Sequence, residues 1–185
     1  MANAKGFTLL EMMVVIAIAA VLMSLAGPGL RSFLLAGSRG DNAAALYGAM
    51  VQARAEAIAR NTPVTICQRD YNASGGHARC DSATDAAWVN GWVIYRDSAP
   101  DDGGTKPATA GDVIATGEPA DRAFVWASDP ADIAAVQFES SGRLSSSSRV
   151  TLRLCKQGDS AWEGRRVQID TSGRIRLAKD SGCNA

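Results

Sequence analysis

The chain has 185 residues, with 19 Lys+Arg balanced by 19 Asp+Glu, and 46% of its residues are hydrophobic. That composition excludes wholesale disorder and excludes a uniformly basic or acidic protein. The length fits one globular domain plus a further segment, because roughly the first thirty residues do not read as soluble protein.

The chain opens on a short hydrophilic stretch, Met1 to Gly6, that carries Lys5; from Met12 to Leu25 only Ser24 is polar. With its flanks this run reaches the ~20 residues needed to cross a hydrocarbon core of about 30 Å. A secretory signal would place small residues after the apolar run and discard the run on cleavage. Here the hydrophilic stretch comes first, so cleavage is expected after Gly6, leaving Phe7 as the new N-terminus and keeping the apolar helix. Glu11 stands inside that apolar surrounding. A carboxylate there costs ~2.5–3.5 kcal/mol on insertion scales, and the dipole of the first helical turn returns only about 0.3–1 kcal/mol. The amine freed at Phe7 of a neighbouring subunit would neutralise it. The plainer alternative is an acid that snorkels to the surface.

Gly27-Pro28-Gly29 come next, and they predict a kink or local melting of the helix. Beyond them Leu46, Tyr47, Met50, Ala53, Ala57 and Ile58 recur at helical spacing, which predicts an amphipathic stem whose apolar side packs on a globular head. Asn61-Thr62-Pro63 ends it, since the residue before proline avoids helical geometry. A helix over 7–60 would extend roughly 80 Å at 1.5 Å per residue, far beyond the usual helix of a domain.

From Pro63 the hydrophobic period shifts towards two. Strands are predicted at Val64–Gln68, Trp88–Arg96, Val113–Thr116, Ala123–Trp126, Ala135–Phe138, Val150–Leu154, Arg165–Ile169 and Arg174–Leu177. Turn chemistry separates them at Ser74–Gly76, Asp101–Gly104, Ser140–Gly142 and Thr171–Gly173. The fold class is therefore α+β: a long N-terminal transmembrane and stem helix, then an antiparallel β-rich head. The expected divisions are 1–6 as leader, 7–60 as helix (7–29 for membrane and assembly, 30–60 for the stem), and 61–185 as head.

Four cysteines, Cys67, Cys80, Cys155 and Cys183, form an even set that fits two disulfides in an oxidising compartment. Three pairings are possible; Cys67–Cys80 with Cys155–Cys183 is favoured because each closes a local loop, contributing on the order of 3–4 kcal/mol. A zinc site would recruit Cys67, His77 and Cys80, but no paired C-x-x-C spacing supports it. His77 is the only histidine, and no nucleophile elbow, phosphate loop, zincin motif or dinucleotide fingerprint accompanies it. No cofactor, metal or catalytic residue is expected. A membrane-anchored enzyme stays as a remote alternative, because fold does not dictate function.

Charge is uneven along the chain. Asp97 to Asp132 holds eight acids against two bases, and Arg143 to the end nine bases against four acids, which hints at an anionic partner for the basic end; the bland reading is that the two regions face each other or solvent. The clearest basic feature is Gly173-Arg174-Ile175-Arg176-Leu177 with Lys179 beyond. In a strand, Arg174 and Arg176 share one side while Ile175 and Leu177 enter the core, giving a small cationic ridge suited to phosphate. Arg143, Arg149, Arg153, Lys156, Arg165 and Arg166 would enlarge it if their faces agree. Charged residues on an edge strand also serve simply to block aggregation.

Gly6-Phe7-Thr8-Leu9-Leu10-Glu11 and its apolar run resemble the class III leader of type IV pilins and type II secretion pseudopilins. Further along, Ala53-Arg54-Ala55-Glu56-Ala57-Ile58, Pro63-Val64-Thr65-Ile66-Cys67, Gly91-Trp92-Val93-Ile94-Tyr95-Arg96-Asp97, Gly142-Arg143, Leu154-Cys155 and Arg166-Val167-Gln168-Ile169 with Gly173-Arg174 resemble the GspH/FimT family of minor pilins and pseudopilins. The resemblance implies a pilin-like head of two antiparallel sheets packed on the stem. It implies a prepilin peptidase that cuts after Gly6 and methylates Phe7, and a Glu11 that meets the N-terminus of the adjoining subunit. The expected location is the bacterial inner membrane, single-pass with a periplasmic head, then a pilus or pseudopilus built with other pilins. The Gly173-Arg174-x-Arg176 segment resembles the DNA-binding motif of FimT-type pilins active in natural transformation, which makes DNA an expected partner through Gly173, Arg174, Arg176 and Lys179. The competing expectation is a structural GspH-like pseudopilin, or a priming pilin without DNA binding.

Overall fold

The computed structural model describes residues 7–70, 80, 88, 90–97, 112–118, 124–131, 133–156 and 164–181, with the backbone alone at 25–29, 31 and 32. Helix α1 spans Leu9–Arg60, 52 residues. Eight strands come after it: β1 Val64–Gln68, β2 Trp92–Arg96, β3 Val113–Thr116, β4 Phe124–Asp129, β5 Ala135–Phe138, β6 Val150–Lys156, β7 Gly164–Ile169 and β8 Ile175–Asp180.

Both helix ends have local causes. At the start, the Glu11 N–H donates to Thr8 Oγ1 at 3.3 Å and the Thr8 N–H donates to the Glu11 carboxylate at 3.4 Å. This reciprocal capping box serves the first-turn amides, the Glu11 N–H also donating to the Thr8 carbonyl at 3.1 Å, and the first helical residue is Leu9 rather than Phe7. At the other end Asn61 takes a left-handed φ of 51°. The Asn61 and Thr62 amides donate back to the Ile58 and Ala57 carbonyls, both at 3.3 Å. That is a Schellman closure with asparagine in the place glycine usually holds, and Pro63 then blocks extension. The single chain is helical through Gly27-Pro28-Gly29.

The chain divides into two compact units, Met1–Ser38 and Arg39–Ala185. In the first, α1 leaves large apolar side chains uncovered; Leu9 is 79% and Met23 75% exposed. A helix apolar on every side requires an apolar environment from outside itself. Among the described residues no helix is long and apolar enough to cross a membrane, and the described side chains of the apolar run stop at Ser24.

In the second unit α1 buries Ala43, Leu46, Met50, Ala53 and Ala57, the three-and-four spacing of one helical face. Ile58 is not part of that face: it is 50% exposed and lies against the Gly142 turn. The strands form two antiparallel sheets, ordered β3-β2-β1-β5 and β4-β6-β7-β8. Strand β1 is buried along its whole length between β2 and β5. Its polar Thr65 donates to the buried Asp97 carboxylate at 3.1 Å, and Gln137 from β5 donates to the same oxygen at 2.6 Å. In the other sheet Val150, Leu152 and Leu154 of β6 line one face, with Ile169 and Val167 of β7 opposite the first two.

Some strands fall elsewhere than expected. The segment from Trp88 becomes strand only at Trp92, because Trp88 has a left-handed φ of 48°. It is core nonetheless: its indole N–H donates to the Ile133 carbonyl at 2.7 Å and its backbone N–H to Gln68 Oε1 at 3.1 Å. Strand β4 begins at Phe124 and continues to Asp129, since all six residues pair with β6; Ala123 lies outside the described residues. Strand β8 begins after Arg174 and continues to Asp180 for the same reason, its ladder with β7 running to Gly164. Cys67 and Cys80 are joined by a disulfide over a separation of 13 residues. Cys155 is also disulfide-bonded, while Cys183 and His77 lie outside the described residues.

Candidate nucleic-acid interface and assembly segment

The β7–β8 hairpin presents the basic segment. Its turn closes through the Asp170 N–H to the Arg174 carbonyl at 2.9 Å and the Gly173 N–H to the Asp170 carbonyl at 2.8 Å. Gly173 has φ of 78°, and a Cβ there would overlap the Gly142 carbonyl oxygen. Its place in the site is therefore conformational, with no side chain to offer a ligand.

Beyond the turn the register separates the bases that the sequence grouped together. Arg176 stands across from Gln168 and Lys179 across from Arg165. Lys179 lies three positions after Arg176, an odd offset, so the pleat sends them to opposite faces. The single ridge of Arg174, Arg176 and Lys179 is corrected accordingly. Leu177 is corrected as well, because at 40% exposure it does not enter the core. The cause is position: β8 is the outer strand of its sheet, with β7 on one side and, among the described residues, no strand on the other.

Acids then decide which cations remain available. Asp170 Oδ1 receives Arg149 Nε at 2.7 Å and its Oδ2 faces Arg176 Nη2 at 3.6 Å. The buried Asp180 sits between Arg153 Nε at 3.3 Å and Arg166 Nη1 at 3.9 Å, and Arg153 also reaches Asp129 at 3.6 Å. These are ion contacts rather than well-aligned hydrogen bonds, since Arg153 Nε, Arg166 Nε and Asp180 Oδ2 make none. Much of the predicted enlargement of the patch is thus balanced within the sheet. Arg174 differs. It is exposed and, among the described residues, no acid or carbonyl bonds its guanidinium. It borders a groove of about 350 Å³ lined also by Tyr47, Val51, Arg54, Ala55, Ile58 and Ile175. Arg54, whose Nε donates to the Gly142 carbonyl at 3.0 Å, was not among the basic residues that the sequence pattern assigned to the patch.

In the assembly segment Phe7 is exposed and Glu11 occupies the first turn of α1; Gly6 lies outside the described residues. The Glu11 carboxylate is engaged with the Thr8 N–H at 3.4 Å and the Thr8 hydroxyl at 3.5 Å. Contacts of that length are weak, and a charged amine would replace them with a shorter, stronger bond. The Thr8-x-x-Glu11 spacing is itself a capping-box signature that was legible in the sequence.

Residues 42–173 match the family model for the type II transport protein GspH, and residues 1–27 match the prokaryotic N-terminal methylation motif. The type IV minor pilin FimU of Pseudomonas aeruginosa PAO1 shares the fold with a TM-score of 0.61 and 18% identity, over 82% of this chain and 98% of FimU. The minor pseudopilin EpsH from the type 2 secretion system of Vibrio cholerae does so with a TM-score of 0.51 and 18% identity, over 76% of this chain and 96% of EpsH. No curated protein matches the sequence.

Proposed function

This chain belongs to the GspH family of minor pilins and pseudopilins, and on that premise we propose that it is a minor type IV pilin of the FimT kind that binds DNA non-specifically during natural transformation. The observation that carries this reading is Arg174, an exposed arginine without an acid partner among the described residues, held at the head of an outer strand. Guanidinium groups pair with phosphate oxygens through two parallel hydrogen bonds. Contacts of this kind go to the DNA backbone, carry no sequence information, and weaken as salt rises.

Assembly depends on the other end of the chain. A prepilin peptidase cuts after Gly6 in the inner membrane and methylates Phe7, with the head in the periplasm. The new amine of one subunit then meets Glu11 of the next, drawing the carboxylate away from Thr8. The uncovered apolar side chains between Phe7 and Met23 support this reading, since they require either lipid or neighbouring subunits.

The test is a gel shift with the full-length protein in mild detergent and a mixed-sequence duplex. The parent retards the duplex at low salt, and the double variant Arg174→Gln/Arg176→Gln does not. Equal retardation by both would remove Arg174 and Arg176 as the binding site. A second reading, a structural pseudopilin of type II secretion, is favoured by the family match over 42–173. Gene deletion separates the two: loss of DNA uptake supports the first, and loss of exoprotein secretion supports the second.

A further inference from the structure

We propose that the phosphate-binding centre is a cluster of three arginines, Arg54, Arg143 and Arg174, formed where two copies of one turn meet, and not the row of bases along β8. This deepens the DNA-binding reading above and rests on it.

The two turns have the same sequence logic. Glu139-Ser140-Ser141-Gly142-Arg143 and Asp170-Thr171-Ser172-Gly173-Arg174 each run acid, hydroxyl, serine, glycine, arginine. They also have the same bonding. In each, the acid's N–H donates to the arginine carbonyl at 2.9 Å, and the glycine N–H donates to the acid's carbonyl, at 2.7 Å in the first and 2.8 Å in the second. Both glycines are left-handed, at φ of 77° and 78°. The copies touch at those glycines: the Gly142 carbonyl occupies the space where a Gly173 side chain would begin. Further along, the Leu144 N–H donates to the Thr171 carbonyl at 3.2 Å.

Arg54 is the third member. From α1 it donates Nε to the Gly142 carbonyl at 3.0 Å, and the same nitrogen lies 3.0 Å from the Gly173 Cβ position. One helical arginine therefore spans the seam between the turns, and each turn delivers its own arginine one residue after the glycine. The Arg54 partner is a neutral carbonyl, and no acid pairs with its guanidinium among the described residues. Arg143 and Arg174 are both exposed, and neither guanidinium has a partner among the described residues. The neighbouring Glu139 carboxylate is bonded by the Ser141 hydroxyl at 3.2 Å and not by an arginine.

Four of the other arginines are engaged by acids. Arg149 and Arg176 share Asp170, while Arg153 and Arg166 share Asp180. Lys179 stands on the other face of β8 from Arg176. The paired turns therefore hold two exposed arginines, Arg143 and Arg174, that no acid engages among the described residues. Planar guanidinium forks held on rigid turns are suited to adjacent oxygens of a phosphodiester backbone. Like charges gathered in this way concentrate a polyanion at the surface.

The experiment is fluorescence anisotropy of the full-length protein in mild detergent with a labelled mixed-sequence duplex across a potassium chloride series. Arg143→Gln is expected to weaken binding about tenfold at low salt, as Arg174→Gln does, and to lower the salt slope by about one. Arg143→Lys keeps the charge, so it retains the slope while binding less tightly than the parent. Arg176→Gln, already engaged by Asp170, changes affinity by less than about twofold. An Arg143→Gln protein that binds like the parent beside a weakened Arg174→Gln protein overturns the three-arginine centre and leaves DNA binding standing. Equal losses from Arg174→Gln and Arg176→Gln, with none from Arg143→Gln, restore the β8 row instead. A parent that does not bind the duplex removes both readings.

Discussion

Strands β1 and β8 are similar in length but occupy opposite environments. β1 has a partner on each side, and all five of its residues are buried. Its polar residues are matched as well, Thr65 to Asp97 and Gln68 to the Trp88 amide. β8 has one partner among the described residues, and of its own six residues only Asp180 is buried. A central strand must satisfy packing and hydrogen bonding on every side, so its composition is set by the fold. An outer strand has half of those obligations, which frees positions near it for charge that faces outwards. On this comparison, substitutions in β1 act on stability, and those around β8 act on binding.

The largest effect expected is Ile66→Ala. Ile66 is fully buried opposite Ile94, so truncation removes transfer energy and leaves a cavity, about 3–4 kcal/mol in all. Chemical unfolding of the full chain in mild detergent measures it. A loss below about 1 kcal/mol would mean that β1 is not the strand on which the fold depends.

Next comes Gly173→Ala, at the turn leading into β8. A left-handed alanine costs about 1–2 kcal/mol by itself, and its Cβ would collide with the Gly142 carbonyl. A total of about 2–4 kcal/mol is expected, with DNA affinity falling because Arg143 and Arg174 are pushed apart. If stability falls while affinity holds, the two turns do not act as one site.

Asp170→Asn runs in the opposite direction. It removes the acid shared by Arg149 and Arg176, so duplex affinity is expected to rise about three- to tenfold, with a salt slope steeper by about one. Stability should fall by less than about 1 kcal/mol, because half-exposed ion pairs contribute little. Unchanged affinity would show that the freed arginines do not reach DNA.

The same contrast explains what the residues disclosed in advance. The bounds of β1 were readable because Pro63 fixes its start and its residues are strand formers. The stem face was readable from the spacing of Leu46, Met50, Ala53 and Ala57, with Ile58 misassigned because a neighbouring turn, and not the core, meets it. β8 was displaced towards its N-terminus because Gly173-Arg174 reads as the start of an alternating run, whereas Arg174 still belongs to the turn. The fate of each arginine was not readable. It depends on Asp170 and Asp180 coming beside Arg149 and Arg153, a consequence of register between strands that local pattern does not encode. The repeated acid-x-Ser-Gly-Arg turn was present in the sequence, but only the contact between its two glycines gives it meaning.

The smallest expected effect is Leu177→Ala. Leu177 shares a face with Val167 across the ladder, yet 40% of its surface stays exposed. Truncation removes only part of a transfer energy and leaves no closed cavity, so a loss under about 1 kcal/mol is expected in the same unfolding assay. DNA affinity should not change, because the side chain is apolar and lies on the Lys179 face, away from Arg176. A loss comparable to that of Ile66→Ala would require the apolar face of β8 to be covered in solution. The outer strand would then carry the same packing obligations as the central one, and the division between stability and binding would fail at its weakest point.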